Sequence, residues 1–134
     1  MQFAALQAAL KENDPDKLWK LLASRSRTDA ERAANAVQAF YAMASDSKKS
    51  ELQKMLGVNG AELAALTGIT FLKTKRFQEK YHDVPGSTVE RVIVEGESAV
   101  VHYLESDGDK EKAVYLQEDG QWKAWLPIPR IPQP

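Results

Sequence analysis

The chain changes character once, at Asp83-Val84-Pro85-Gly86-Ser87, a run of turn formers. Residues 1 to about 82 are rich in Ala, Leu, Lys and Glu, which favour helix. Residues 88–126 are rich in Val, Tyr and Trp in short-range alternation, which favours strand. Helices followed by strands specify an α+β layer architecture, with N-terminal helices packed on one face of a C-terminal antiparallel meander. Neither half alone carries much core, so residues 1–134 read as a single domain ending in a Pro-rich tail, 127–134.

Within the first part, Phe3, Leu6 and Leu10 form the stripe of a helix over Gln2–Lys11. Asp14 caps a second helix with Pro15 at its first position, where a missing N–H does no harm, and this helix runs to about Ser24. Thr28 or Asp29 caps a third, to about Ala44, whose Ala30, Ala33, Ala34, Val37, Phe40 and Tyr41 follow helical spacing. A fourth ends at Gly57, a short fifth spans Gly60–Leu66, and a sixth is expected over Thr70–Tyr81.

Turns register the strands. Two-residue loops at Gly96-Glu97 and Asp107-Gly108 set Val94 opposite Ala99, Val92 opposite Val101 and Val101 opposite Val114. One face then carries Val92, Val94, Ala99, Val101, Tyr103, Val114 and Leu116, and should pack on the helices. At Glu118-Asp119-Gly120, a three-residue loop with a bulged Gly120 brings Trp122, Ala124 and Leu126 to the same face, and groups apolar with apolar better than a two-residue loop does. The other face carries Ile93, Val100, His102, Leu104, Tyr115 and Trp125, too apolar for a solvated sheet face. The sixth helix, the tail or a second copy should cover it, and a homodimer through this outer face is the expected assembly.

Composition removes several chemistries. There is no cysteine, which excludes disulfides, Cys-based zinc sites, iron–sulfur clusters and thiol catalysis. The net charge of -1 offers no bulk attraction to nucleic acid, and no apolar run approaches a membrane span. The start, Met1-Gln2-Phe3-Ala4-Ala5-Leu6, lacks a basic region and a cleavage site, which predicts a cytoplasmic chain; an exported domain is the alternative if Met1 replaces a removed signal peptide. Two histidines, His82 and His102, stand apart with no ligand spacing between them, so neither a metal set nor a cofactor is expected. His82 reads as a helix-end residue, and Lys73, Lys75, Arg76 and Lys80 as a solvated face. Asp107-Gly108-Asp109 lacks the further ligands a calcium loop needs. Trp19, Tyr41, Tyr103 and Trp122 either line a cavity between helices and sheet, open to a small apolar ligand, or are the aromatics of the core.

Asn13-Asp14-Pro15-Asp16-Lys17-Leu18-Trp19 near the start, helices before a Pro-Gly hinge, and a meander closing on Asp119-Gly120-Gln121-Trp122-Lys123 together resemble the nuclear transport factor 2-like (cystatin-like cone) superfamily. The resemblance implies a cone-shaped pocket and a range of roles, from enzymes to transport factors and accessory domains. The Asp/His dyads of its catalytic members have no counterpart here, which favours a non-catalytic binding or interaction domain over an acid–base isomerase, dehydratase or hydrolase.

Overall fold

A computed structural model describes residues 2–131. The start at Met1 and the tail's Pro132–Pro134, on which the compartment and part of the tail reading rest, lie outside the described residues. Among the described residues, seven helices precede four strands: α1 (Phe3–Glu12), α2 (Pro15–Leu21), α3 (Ser24–Met43), α4 (Asp46–Leu56), α5 (Gly60–Ala64), α6 (Gly68–Phe71), α7 (Lys75–Lys80), β1 (Thr88–Glu95), β2 (Ser98–Leu104), β3 (Lys110–Glu118) and β4 (Gln121–Trp125). The strands form one antiparallel sheet in the order β1-β2-β3-β4. The α+β class expected from the sequence is therefore present.

Local signals account for most helix ends. Asp14 caps α2 by accepting from the Lys17 N–H, and Pro15 occupies the first position. Gly57 ends α4 in the left-handed region, at φ 67°. Asn59 and Glu62 form a reciprocal capping box at α5. The single helix expected over Thr70–Tyr81 is instead two. Buried Thr74 donates to the Phe71 carbonyl at 2.7 Å and accepts from the Phe77 N–H, so one hydroxyl closes α6 and opens α7. The third helix starts at Ser24, earlier than Thr28, because its first turn is held from the sheet rather than by a local cap. The Ala23 N–H donates to the Ala124 carbonyl at 2.8 Å, and Ser26 Oγ, fully buried, donates to the Leu126 carbonyl at 2.9 Å.

The sheet corrects the expected register twice. The β2–β3 turn holds one residue more than a two-residue loop. The Glu105 N–H donates to the Asp109 carbonyl, Asp107 Oδ1 accepts from the Asp109 N–H, and Gly108 sits at φ 95°. Val101 thus faces Ala113, and not Val114. A one-residue slip exchanges the faces of a strand. Val114 and Leu116 move to the outer face, and Tyr115, expected there, is 1% exposed in the core. At the next turn Asp119 (φ 51°) and Gly120 (φ 76°) both adopt left-handed backbone, so the loop has two residues and Trp122 lies opposite Gln117. Two one-residue differences cancel, and Trp122 and Ala124 remain on the helix-facing side.

The core joins α1, α2 and the longer helices to β2, β3 and β4 through residues such as Leu6, Leu18, Leu22, Phe71, Val101 and Tyr115. It stops short of β1. Val92 and Val94, expected in the core, are 44% and 55% exposed. The bonds from Ala23 and Ser26 to β4 draw the helical layer toward that edge and away from β1.

Candidate binding groove

On α3, Asp29, Arg32, Ala33, Ala36, Val37 and Phe40 follow i, i+3, i+4 spacing and share one face. Leu52 of α4 closes one side of this face. The other wall is the C-terminal segment, Ile128 to Ile131. Ile128 and Ile131 are three residues apart in a Pro-punctuated stretch; extended polyproline geometry turns once per three residues and brings them to one side. The segment is tied down in steps. The Tyr81 hydroxyl donates to the Pro127 carbonyl, and Arg76 Nε donates to the Arg130 carbonyl at 3.1 Å.

These walls enclose a groove of about 490 Å³. Its floor is apolar, built on buried Val37 and Leu52 with half-buried Phe40, Ile128 and Ile131. Its rim holds two guanidinium groups and one carboxylate, Arg32, Arg130 and Asp29, none in a salt bridge among the described residues. The volume falls within the range of small-molecule sites, and an apolar floor with a few charged rim groups is their usual lining.

The aromatic set expected to line a cavity lies outside this groove. Trp19 packs against Gly68, with Arg27 over its ring at 5.6 Å. The Tyr41 hydroxyl accepts from Gln53 Nε2 at 3.2 Å beside α5. Tyr103 stacks at a tilt on Phe3, centroids 5.0 Å apart, and burial raises its phenol to about 12. Trp122 is half-buried on β4. None of the four borders the groove.

Of the outer-face set, Ile93, Val100 and Trp125 form one row with Val114 across all four strands. Leu104 and His102 flank it, while Tyr115 points the other way. The Arg25 guanidinium lies 4.6 Å from the Trp125 ring centroid. The expected covers are elsewhere: α6 packs on α3, α7 on α4, and the described part of the tail follows α3 and α7.

Chemistry at the hinge is electrostatic. His82 Nδ1 lies 2.7 Å from the Glu79 carbonyl, as expected of a helix-end histidine, and Nε2 lies 3.2 Å from Asp83 Oδ1. The Glu79 carbonyl first, and Asp83 second, hold its pKa above 6.5. Asp83, Glu105 and Asp107 bring carboxylate oxygens within 4.8 Å of one another. Partial burial, then Asp83 and Asp107, raises the Glu105 carboxyl above its ordinary 4.5.

The groove residues Asp29, Arg32, Ala36 and Arg130 escape a sequence reading that places only the apolar half of α3 inward. The signal available for them is the Ile128/Ile131 spacing, which marks a tail with one apolar side. Comparison with family models, with curated proteins and with solved structures gave no match. Among the described residues, no helix is long and apolar enough to cross a membrane.

Proposed function

We propose that the chain is a non-catalytic binding domain that holds a small apolar ligand with an acidic end in the groove between α3 and the C-terminal segment. The observation that carries this reading is the groove itself, an apolar floor beneath a rim with two guanidiniums to one carboxylate. An acyl chain or similar body would displace water from Val37, Phe40, Ile128 and Ile131. Its carboxylate would meet Arg32 or Arg130, with the planar two-point geometry that guanidinium offers. Both histidines lie away from the groove, at the end of α7 and on the outer sheet face. The rim therefore offers a carboxylate and two permanent cations, a set suited to binding and poor in acid–base pairs.

Helices followed by a meander support the resemblance to nuclear transport factor 2-like chains, and the non-catalytic end of that superfamily is the part this reading adopts. The ligand site proposed here is on the helical side, because core side chains such as Leu6, Leu18 and Tyr115 fill the space between helices and sheet.

Calorimetry with dodecanoate and dodecanol as probes tests the reading. Dodecanoate should bind the wild-type chain, and Ala36→Phe, which fills the groove from an exposed position, should abolish binding. Arg130→Glu should weaken dodecanoate by roughly tenfold while leaving dodecanol nearly unchanged. Absence of binding by both probes, or binding untouched by Ala36→Phe, would remove this function from the groove.

A further inference from the structure

Strand β1 is exposed along its whole length, and its far edge has no neighbour in the sheet. It carries apolar side chains on both faces: Val92 and Val94 on the helix side, Ile93 on the outer side, at 44%, 55% and 41% exposure. Free edges of this kind are usually blunted by charge, bulges or cover. Here a bulge between Val89 and Arg91 disturbs only the first part of the strand, and Arg91–Glu95 runs in regular register.

Parity restricts how this edge can pair. Glu95 and Ser98 close a two-residue loop, and such closing residues face each other with both backbone hydrogen bonds. Arg91, Ile93 and Glu95 therefore turn their backbone groups toward β2, and Val92 and Val94 turn theirs outward. An antiparallel partner must align outward residues with outward residues.

We infer that β1 pairs with β1 of a second copy across a twofold axis at Ile93, joining two sheets into one of eight strands. In this register Val92 meets the partner's Val94, and Ile93 meets its own equivalent. Arg91 stands opposite the partner's Glu95, twice over, with side chains at the closer spacing of non-hydrogen-bonded pairs. The segment Arg-Val-Ile-Val-Glu is thus self-complementary in charge and in shape when reversed. Shifting the axis to Val92 or Val94 keeps parity but loses both charge pairs. Neither Arg91 nor Glu95 has an ion-pair partner within the described chain. The apolar row Trp125–Val114–Val100–Ile93 would continue unbroken into the partner's Ile93. The helical layer, which stops short of β1, leaves room for the approach.

Sedimentation equilibrium of the full chain, from micromolar concentration to the solubility limit, tests the pairing. The wild type should double its weight-average mass. Arg91→Glu, which sets glutamate against glutamate, should move dimerisation to roughly tenfold higher concentration, and Arg91→Glu/Glu95→Arg should restore it. Val94→Pro removes an outward N–H without touching the β1–β2 ladder and should leave a monomer. Far-UV circular dichroism identical to wild type establishes that each variant is folded. A wild type that stays monomeric, a double swap that fails to restore the dimer, or a folded Val94→Pro dimer would overturn the proposal; the last result would place the contact on the outer sheet face.

Discussion

The Ser24 backbone N–H donates to both carboxylate oxygens of Glu118 at 3.1 Å, and Ser24 Oγ reaches Oε2 at 3.0 Å. The pair is separated by 94 residues. Ala23, at the cap position of α3, has no side chain able to accept from the first turn. A carboxylate at the end of β3 does so instead and faces the positive end of a 20-residue helix. Glu118→Ala should therefore cost about 1 kcal/mol, the usual worth of a lost cap. Urea denaturation measures it, and a change near zero would mean that solvent replaces the contact without penalty.

Tyr115 carries the reverse situation. Its ring is 1% exposed, and its hydroxyl has no hydrogen-bond partner in the described chain. Burial pushes its phenol above the ordinary tyrosine range. Tyr115→Phe removes the unpaired hydroxyl and keeps the ring, so it should leave stability unchanged or raise it by about 1 kcal/mol. A loss above about 1 kcal/mol in thermal denaturation would show that the hydroxyl is satisfied by water in solution.

Gly68 marks a close approach of α6 to α2 and α3. A Cβ there would lie 2.8 Å from Trp19 Cη2 and 2.7 Å from Glu31 Cγ. Glu31 can swing away, but the indole is held on α2 beneath Arg27. Gly68→Ala should destabilise by about 1–3 kcal/mol, the cost of overpacking. Intrinsic tryptophan fluorescence should shift with it, because Trp19 is the ring displaced.

The hinge should respond to pH. His82 has a raised pKa, so its favourable contribution is complete below about 6.5 and fades as pH rises through the raised value. Glu105 also has a raised pKa, so protonation favours the folded state as pH falls through its midpoint. Both effects stabilise this corner on mild acidification. Asp83→Asn should lower both midpoints while leaving part of each shift, since the Glu79 carbonyl and partial burial act first. Chemical-shift titration reads both groups, and an unmoved His82 midpoint would contradict the pairing with Asp83.

The fold class and the helix caps were legible because each rests on a short local signal. Asp14-Pro15, Gly57 and Asn59 act within one turn of chain. The β2–β3 register was not, because Asp107-Gly108 suits a two-residue loop equally well until the Asp107 side chain bonds the Asp109 N–H. The three-residue loop that this bond belongs to puts Tyr115, and not Val114, on the core face. The groove was hidden for a different reason. Arg32 and Ala36 look like ordinary solvated positions of α3 until the C-terminal segment is laid beside them, and helical spacing carries no information about what runs alongside.

The two edges of the sheet are unequal. At β4 the outward carbonyl of Ala124 is taken by the Ala23 N–H, and the Leu126 carbonyl beyond it by Ser26. Among the described residues, the edge of β1 has no such cover. Fibrous growth by sheet extension needs two open edges on every unit, one to receive and one to offer. Among the described residues one edge is open, so the pairing proposed for β1 would terminate after a single step, and an apolar edge that would seed polymers in a symmetric sheet would yield a finite particle.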